Sequence, residues 1–469
     1  MILSRAGWWT VFACLAGLAW IFILHFRSWI LSRGKKLPPG NMGWPLIGET
    51  FYFMKPHPST STGTFLQKNC KLYGKIFSSH VFGQPTIVSC DFDFNMYVLL
   101  NEDRLFQSSY PKSVNSILGE FSMLIAVGDA HKRMRSLALN MINTAKKSTG
   151  FLNDIEWHAL YVFDHWNHQQ DIVFSKEAKK FTFNLMVKQL VSLMPGSPQS
   201  SQILSDLLTF MDGLVAFPLN IPGTHYSKAL KSRSRILSTL KGMIHQRRNG
   251  NDVLSGDFLD SLITNTNLSD EEILNLVMDL IFGGYETTST LIALILKFLT
   301  ECPKALQQIK SEHEAIKRAK GKDESLTFDD YRQMTFTQNV IDETLRLGNV
   351  VKFVHRKTIK DIKFKDYDIP AGWKVLPILS AVHLDSSNYD NPFEFNPWRW
   401  QEPTTGKRFI PFGGGARLCP GYEMGRIEAA VFIHHLLLKF RWRMREPDIP
   451  MSYPYLDFEK GLCISVERL

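Results

Sequence analysis

Cysteine is scarce in this chain: six in 469 residues, at positions 14, 70, 90, 302, 419 and 463, with no CxxC pair. So few, so scattered, exclude a disulfide scaffold. No internal repeat or low-complexity tract appears. No zinc finger, basic zipper or aromatic-basic RNA motif appears either, so nucleic acid is not an expected partner. There is no excess of acid: net charge is +9 and the pI about 9.1, which suits an acidic protein partner or an anionic membrane surface. What is present is ordinary for a globular chain with a sizeable core, 44% hydrophobic and 21% charged residues. The length allows two or three average domains or one large one.

One long stretch lacks charge altogether. AGWWTVFACLAGLAWIFIL, 6–24, is a helix candidate that nearly spans a hydrocarbon layer at roughly 1.5 Å per residue. Arg5 precedes it, and Arg27, Arg33, Lys35 and Lys36 follow, so the C-terminal side is expected in the cytosol. Trp8, Trp9 and Trp29 sit where indoles favour an interface. A cleaved signal peptide is the alternative, but the run is long and basic residues follow it. KKLPPGNMGWPLIGE, 35–49, cannot continue the helix through its prolines. The expected layout is an anchor with its basic flank (1–33), a proline-rich linker (34–48) and one catalytic domain (49–469).

The domain reads as mainly α with a minor β-sheet region. KIFSSHVFGQPTIVSC, 75–90, is strand-like about a turn at Gly83–Gln84–Pro85, and Phe353–Pro377 alternates apolar and polar residues around IPAGW. Helical periodicity dominates between them and after Cys419.

FIPFGGGARLCPGYEMG, 409–425, raises the question of chemistry. Cys419 could be half of a disulfide, a structural thiol, part of a phosphate loop or an iron ligand. The phosphate reading fails, because neither GxxxxGK[ST] nor GxGxxG is completed. Pro420 suits a first helical turn, which makes Cys419 the expected N-cap of a helix Tyr422–Phe440. Ile427, Val431 and Leu438 share its inward face. The dipole at a buried helix start favours thiolate, and Arg417 adds a cation. A buried thiolate must be paired.

Phe412, Gly415, Arg417, Cys419 and Gly421 complete FxxGxRxCxG, and here the chain resembles the cytochrome P450 monooxygenases. The resemblance implies the P450 fold and haem b (iron protoporphyrin IX) with an axial thiolate from Cys419. Other stretches carry the same likeness. Glu343 and Arg346 match ExxR, and Arg399 in FNPWRW stands at the family's third position. Their implied role is a buried network holding the cysteine loop, against the bland reading of an exposed i, i+3 pair. Gly283–Gly284–Tyr285–Glu286–Thr287–Thr288 resembles the acid–alcohol stretch beside the distal haem face. The resemblance gives Glu286 and Thr287 a proton-relay role, with the glycines allowing a local helix opening. The bland reading of Thr287 is a hydroxyl bonded to its own helix. GDAHKRMRSLAL, 128–139, resembles the family's WxxxR helix with His131 in place of tryptophan; His131, Arg135 and Arg356 are the implied propionate donors.

No Rossmann or flavin fingerprint accompanies these motifs, so electrons come from outside. The family implies an NADPH-cytochrome P450 reductase, O2 as oxidant and a single-pass, lipid-bound protein of the endoplasmic reticulum with a cytosolic catalytic domain. FPLNIPGTHYSKALKSR (217–233), LRLGNVVKFVHRK (345–357) and IPAGWKVLPILSAVHLD (369–385) are similar to plant steroid C-22 hydroxylases of brassinosteroid biosynthesis. The resemblance implies a sterol substrate, an apolar wall from Val350, Val351 and Phe353, and a greasy entrance from Phe217, Pro218, Leu219, Ile221 and Pro222. Oxidation of cholesterol or another triterpenoid in specialised metabolism is an alternative, as is a haem protein that binds sterol without turnover.

Overall fold

A computed structural model describes residues 5–469 apart from 33, 149, 167–169, 215, 251–255, 322–323 and 453–454, and only some side chains of the first helix. Arg33 and the side chains of Arg5, Trp8, Arg27 and Trp29 lie outside the described residues.

Helices dominate. The labels used below are α1 (Arg5–Leu31), α2 (Phe92–Leu100), α3 (Gly128–Lys147), α4 (Phe174–Val191), α5 (Asp270–Glu301), α6 (Thr335–Gly348) and α7 (Tyr422–Lys439). The strands are β1 (Ile76–Val81), β2 (Gln84–Ser89), β3 (Phe106–Ser108), β4 (Gln170–Val173), β5 (Arg356–Thr358), β6 (Lys374–Pro377), β7 (Phe440–Met444) and β8 (Cys463–Arg468). One sheet runs β1-β2-β6-β5-β3, with only β2–β6 parallel. Another runs β7-β8-β4. The β1–β2 turn falls on Phe82 (φ 54°) and Gly83 (φ 72°), slightly earlier than Gly83–Pro85. Two positive φ values in a two-residue loop match the strands' twist.

The central element is α5. A capping box starts it: Glu272 N–H donates to Ser269 Oγ at 3.3 Å, and Ser269 N–H donates to Glu272 Oε2 at 2.8 Å. Asp270, Glu271 and Glu272 complement the dipole of its first turn. From Ile273 to Leu299 it is buried on most sides, as its apolar run requires. Two helices close on it. The Thr182 hydroxyl of α4 donates to Tyr285 O at 2.8 Å, and a Cβ at Gly284 would lie 2.2 Å from Met186 Sδ. On α7, a Cβ at Gly425 would lie 3.1 Å from Thr288 Oγ1. Small residues thus set both helix crossings. Helix α7 ends at Lys439; Phe440 opens β7 instead of closing the helix.

Among the described residues no helix is long and apolar enough to cross a membrane. Helix α1 presents Trp9, Phe12, Leu15, Trp20, Phe22 and Ile23 as exposed side chains. Its C-terminal part is tied to the body by His25, which accepts from Leu46 N–H at 3.2 Å and donates to Met42 O at 3.0 Å. The following segment is bonded to β1. Ser78 N–H donates to Pro39 O at 2.8 Å, Ser78 Oγ donates to Pro38 O at 2.7 Å, and Asn41 N–H donates to Ser78 O at 3.1 Å.

Candidate active site

The cysteine loop is shaped by two left-handed glycines, Gly413 (φ 75°) and Gly415 (φ 63°). A Cβ on Gly415 would sit 2.2 Å from Leu99 O, so only glycine lets the end of α2 dock here. Backbone bonds close the loop: Gly413 N–H to Ile410 O at 3.1 Å, Leu418 N–H to Gly415 O at 3.1 Å, and Cys419 N–H to Phe412 O at 3.0 Å. The ring of Phe412 packs 5.9 Å from that of Tyr422 and lies under the Arg426 guanidinium at 5.8 Å.

The N-cap of α7 is Gly421, not Cys419 as the sequence predicts. Pro420 therefore lies before the helix, and Cys419 does not take the cap position. Burial pushes the Cys419 thiol up; the Gly421 N–H and the Arg135 charge pull against it without winning. One backbone N–H and one cation do not offset desolvation of sulfur in this loop. A stronger counter-charge is needed to hold the anion, and a metal at the sulfur is one.

Arg417 is likewise not the thiolate's cation. Its Nε donates to Glu102 Oε1 at 2.6 Å, Nη1 donates to Leu124 O at 3.3 Å, and Nη2 donates to Ala126 O. Arg356 turns to the same carboxylate, with Nε 2.8 Å from Glu102 Oε2, and its Nη1 donates to His355 O at 2.9 Å. Both arginines are thus tied to Glu102. The open donors are on α3. His131 is buried with Nδ1 unpartnered, and its pKa is lowered to about 4 by burial and by the charges of Arg417 and Arg135. Among the described residues Arg135 has no hydrogen-bond or ion-pair partner, and its charge is felt at Cys419.

Helix α5 supplies the facing wall. Gly283 and Thr287 are exposed one turn apart, although the helix around them is mostly buried. The Thr287 hydroxyl donates to Gly283 O at 2.7 Å, the bland arrangement, and α5 runs unbroken through both glycines without the expected opening. Glu286 turns away toward α4, 3.1 Å from Lys179 Nζ. Burial raises its pKa, and Lys179 lowers it. Val350 is half-buried and Val351 exposed, while Phe353 meets Phe53 edge to face, with ring centroids 5.1 Å apart. Phe217, Leu219 and Ile221 are exposed in the loop before residue 225.

Glu343, Arg346 and Arg399 meet behind the loop. Arg346 grips Glu343 with Nε (2.9 Å) and Nη2 (2.8 Å), and its Nη1 donates to His383 O (2.9 Å) and Pro392 O (2.7 Å). Arg399 Nε donates to Glu343 Oε1 at 3.0 Å. Trp400 Nε1 (3.0 Å) and Asn396 N–H (2.9 Å) complete the carboxylate's shell. Glu343 and Arg346 are fully buried, and a buried ion pair is tolerable only with such complete satisfaction. The network reaches the cysteine loop through His383, whose Nε2 accepts from Ile410 N–H at 3.1 Å.

Sequence reasoning missed Glu102, Lys179 and Glu428. Glu102 in NEDRLF has no local signal, since its two arginine partners are hundreds of residues away. Lys179 is one of several lysines on α4. Glu428 sits on an otherwise apolar face of α7, takes a hydrogen bond from Thr288 of α5, and is raised to about 8 by burial.

These residues fit a haem. A half-buried sulfur, an orphaned imidazole nitrogen and an unpartnered guanidinium lie at the loop. Gly283, Gly413 and Gly421 have open space beside their Cα atoms, where a flat group can approach. The comparisons agree. The Cytochrome P450 family model matches residues 38–459. Cytochrome P450 724B1 of Oryza sativa subsp. japonica is 49% identical over 464 residues, covering 97% of this chain and 96% of that protein. Cholesterol 22-monohydroxylase CYP90B52 of Paris polyphylla is 46% identical over 461 residues (96% and 98%). Steroid (22S)-hydroxylase of Brachypodium distachyon is 47% identical over 450 residues (93% and 89%). The retinoic acid-bound cyanobacterial CYP120A1 superposes with a TM-score of 0.82 at 23% identity, covering 93% of this chain and all of that one, which shows the fold. With the cysteine loop, the helix across from it and this match over nearly the whole length, the chain belongs to the cytochrome P450 family and carries haem with Cys419 as its axial thiolate.

Proposed function

We propose that this chain is a membrane-held sterol hydroxylase that oxidises the side chain at C-22, in the brassinosteroid branch of plant steroid synthesis. The observation that carries it is 46–47% identity, over nearly the full chain, to proteins named cholesterol 22-monohydroxylase and steroid (22S)-hydroxylase. The haem supplies O2 activation and C–H hydroxylation, its thiolate favouring O–O cleavage. The protein supplies position, dryness and protons. Thr287 lies on the α5 face that borders the site, and rotation about its χ1 frees the hydroxyl from Gly283 O. Glu286, held by Lys179, stands behind it as the proton source from solvent. His131 and Arg135 hold the propionates, with Arg356 and Arg417 beside them.

The apolar side chains along α1 and the exposed Phe217–Ile221 loop support attachment to the endoplasmic reticulum membrane, where sterol partitions and an NADPH-cytochrome P450 reductase is at hand. Deleting residues 1–33 should release most of the protein from membranes; full retention in high salt contradicts the anchor.

A second reading has its own support. A relative named cholesterol 16,22-dihydroxylase, from Trigonella foenum-graecum, is 46% identical over 466 residues. Incubation of the protein with reductase, NADPH and a panel of plant sterols and cholesterol, with products read by mass spectrometry and NMR, separates the readings. A C-22 alcohol from phytosterols supports the first. Turnover of cholesterol alone supports the second. Sterol binding without product contradicts both.

A further inference from the structure

The cation cluster beside the cysteine loop contains an acid that no motif predicts. Glu102 lies two residues past the end of α2, and its side chain is 1% exposed. Oε1 accepts from Arg417 Nε at 2.6 Å and from Ser108 N–H at 3.0 Å. Oε2 lies 2.8 Å from Arg356 Nε. The two arginines are themselves buried, at 8% and 4%.

The placement is a docking in two points. Leu99 O presses on Gly415, and three residues later Glu102 takes Arg417, two residues after that glycine. Leu124 O accepts from both Arg417 Nη1 (3.3 Å) and Ser108 Oγ (3.0 Å), which closes the knot. Without Glu102, three guanidiniums (Arg135, Arg356 and Arg417) would share one poorly solvated corner and repel one another. Asp103 next door does not substitute: it is half-buried and accepts from Gly128 N–H at 3.2 Å, at the start of α3.

We propose that Glu102 is a positioning residue of the haem site: it fixes Arg417 and Arg356 as a preassembled pair and lowers the positive charge that the propionates and iron experience. Arg135 and His131 are left as the uncommitted donors. The inference rests on haem at Cys419 and not on the sterol reading, so it can be tested without turnover.

The consequence is electrical. Reducing the ferric centre adds one electron, and a buried carboxylate close by disfavours that step. Glu102→Gln keeps shape and most contacts but removes the charge, so the midpoint potential should move to more positive values. We expect at least a threefold rise in the ferrous-to-ferric ratio at the wild-type midpoint; tenfold would be 59 mV for this one-electron couple. The double variant Glu102→Gln with Arg356→Gln restores the net charge and should return the potential toward wild type. The experiment is a mediated dithionite titration of the purified holoproteins, followed by their absorption spectra, with haem content per chain measured in parallel. A role confined to packing would lower haem content and leave the midpoint of the loaded fraction unmoved; that result overturns the proposal. If Glu102→Gln takes up no haem, the double variant decides. Haem uptake with a near wild-type potential supports charge balance, and failure of both variants overturns it.

Discussion

Lys179 Nζ of α4 stands 3.1 Å from Glu286 Oε1 of α5, one residue before the exposed Thr287. The pair is mostly shielded, with about a fifth or less of each side chain exposed, so its charges act at short range with little screening. Burial raises the Glu286 pKa and Lys179 opposes it. Lys179→Met removes the opposing charge, so the ionisation of Glu286 moves to higher pH. The ratio of product formed to NADPH consumed, measured against pH, should shift its falling limb in the same direction, because the protonated acid is the donor, while Lys179→Arg should not. An unchanged profile in Lys179→Met removes Glu286 from the proton path.

Thr287→Ala leaves no hydroxyl on the exposed face of α5. Proton delivery should fall, and peroxide release should rise by at least about tenfold relative to product, short of the roughly 10²–10⁴-fold that full loss of a positioned acid–base group costs. Thr287→Ser should retain coupling. Simultaneous assay of peroxide and hydroxysterol checks this, and equal coupling in Ala and wild type contradicts it.

The Glu343 network predicts an order of damage. Glu343→Gln strands two buried guanidiniums and should cost about 3–5 kcal/mol, enough to abolish most haem-loaded protein. Arg399→Ala removes one of the donors to Glu343 and leaves Arg346, Trp400 and Asn396 in place, so it should cost less. Chemical denaturation and haem yield rank the two; equal loss would mean that Arg399 is not the peripheral member.

Glu428 gives a pH signature. Its folded pKa, about 8, lies above the ordinary 4.5, because burial favours the protonated acid. The folded state then binds more protons, so this contribution is full below pH 4.5 and is lost as pH rises toward 8. Glu428→Gln, neutral at every pH, should gain stability relative to wild type between pH 6 and pH 8. Denaturation midpoints of the two holoproteins at both values test it, and a constant difference contradicts it.

The parts legible in the sequence were those written locally. FxxGxRxCxG lies within one loop, ExxR within one helical turn, and GGYETT on one helix, so their spacing alone announces them. The helix-rich class followed from periodicity, and 75–90 and 353–377 do form strands. What escaped depends on distance in the chain. Arg417 looked like a free cation because Glu102, 315 residues away, is invisible to any local pattern. Arg356 was paired by the same acid. The N-cap was misplaced by two residues because Pro420 fits either side of a helix start, and the thiol's shift was misjudged because burial depends on packing that the loop's own residues do not reveal. Thr287 shows how one residue can hold both readings: its hydroxyl satisfies the helix backbone, yet it sits on the one face of α5 with open space beside a glycine.

The central claim is that the sulfur of Cys419, held by this loop, binds haem iron as thiolate. The most direct measurement is the absorption spectrum of the dithionite-reduced protein with carbon monoxide, for wild type and Cys419→His. The strongly red-shifted Soret band of a thiolate-ligated haem in wild type, replaced in Cys419→His by a globin-like band or by loss of haem, is the predicted result. A globin-like band in wild type, or a thiolate band that survives in Cys419→His, would contradict it.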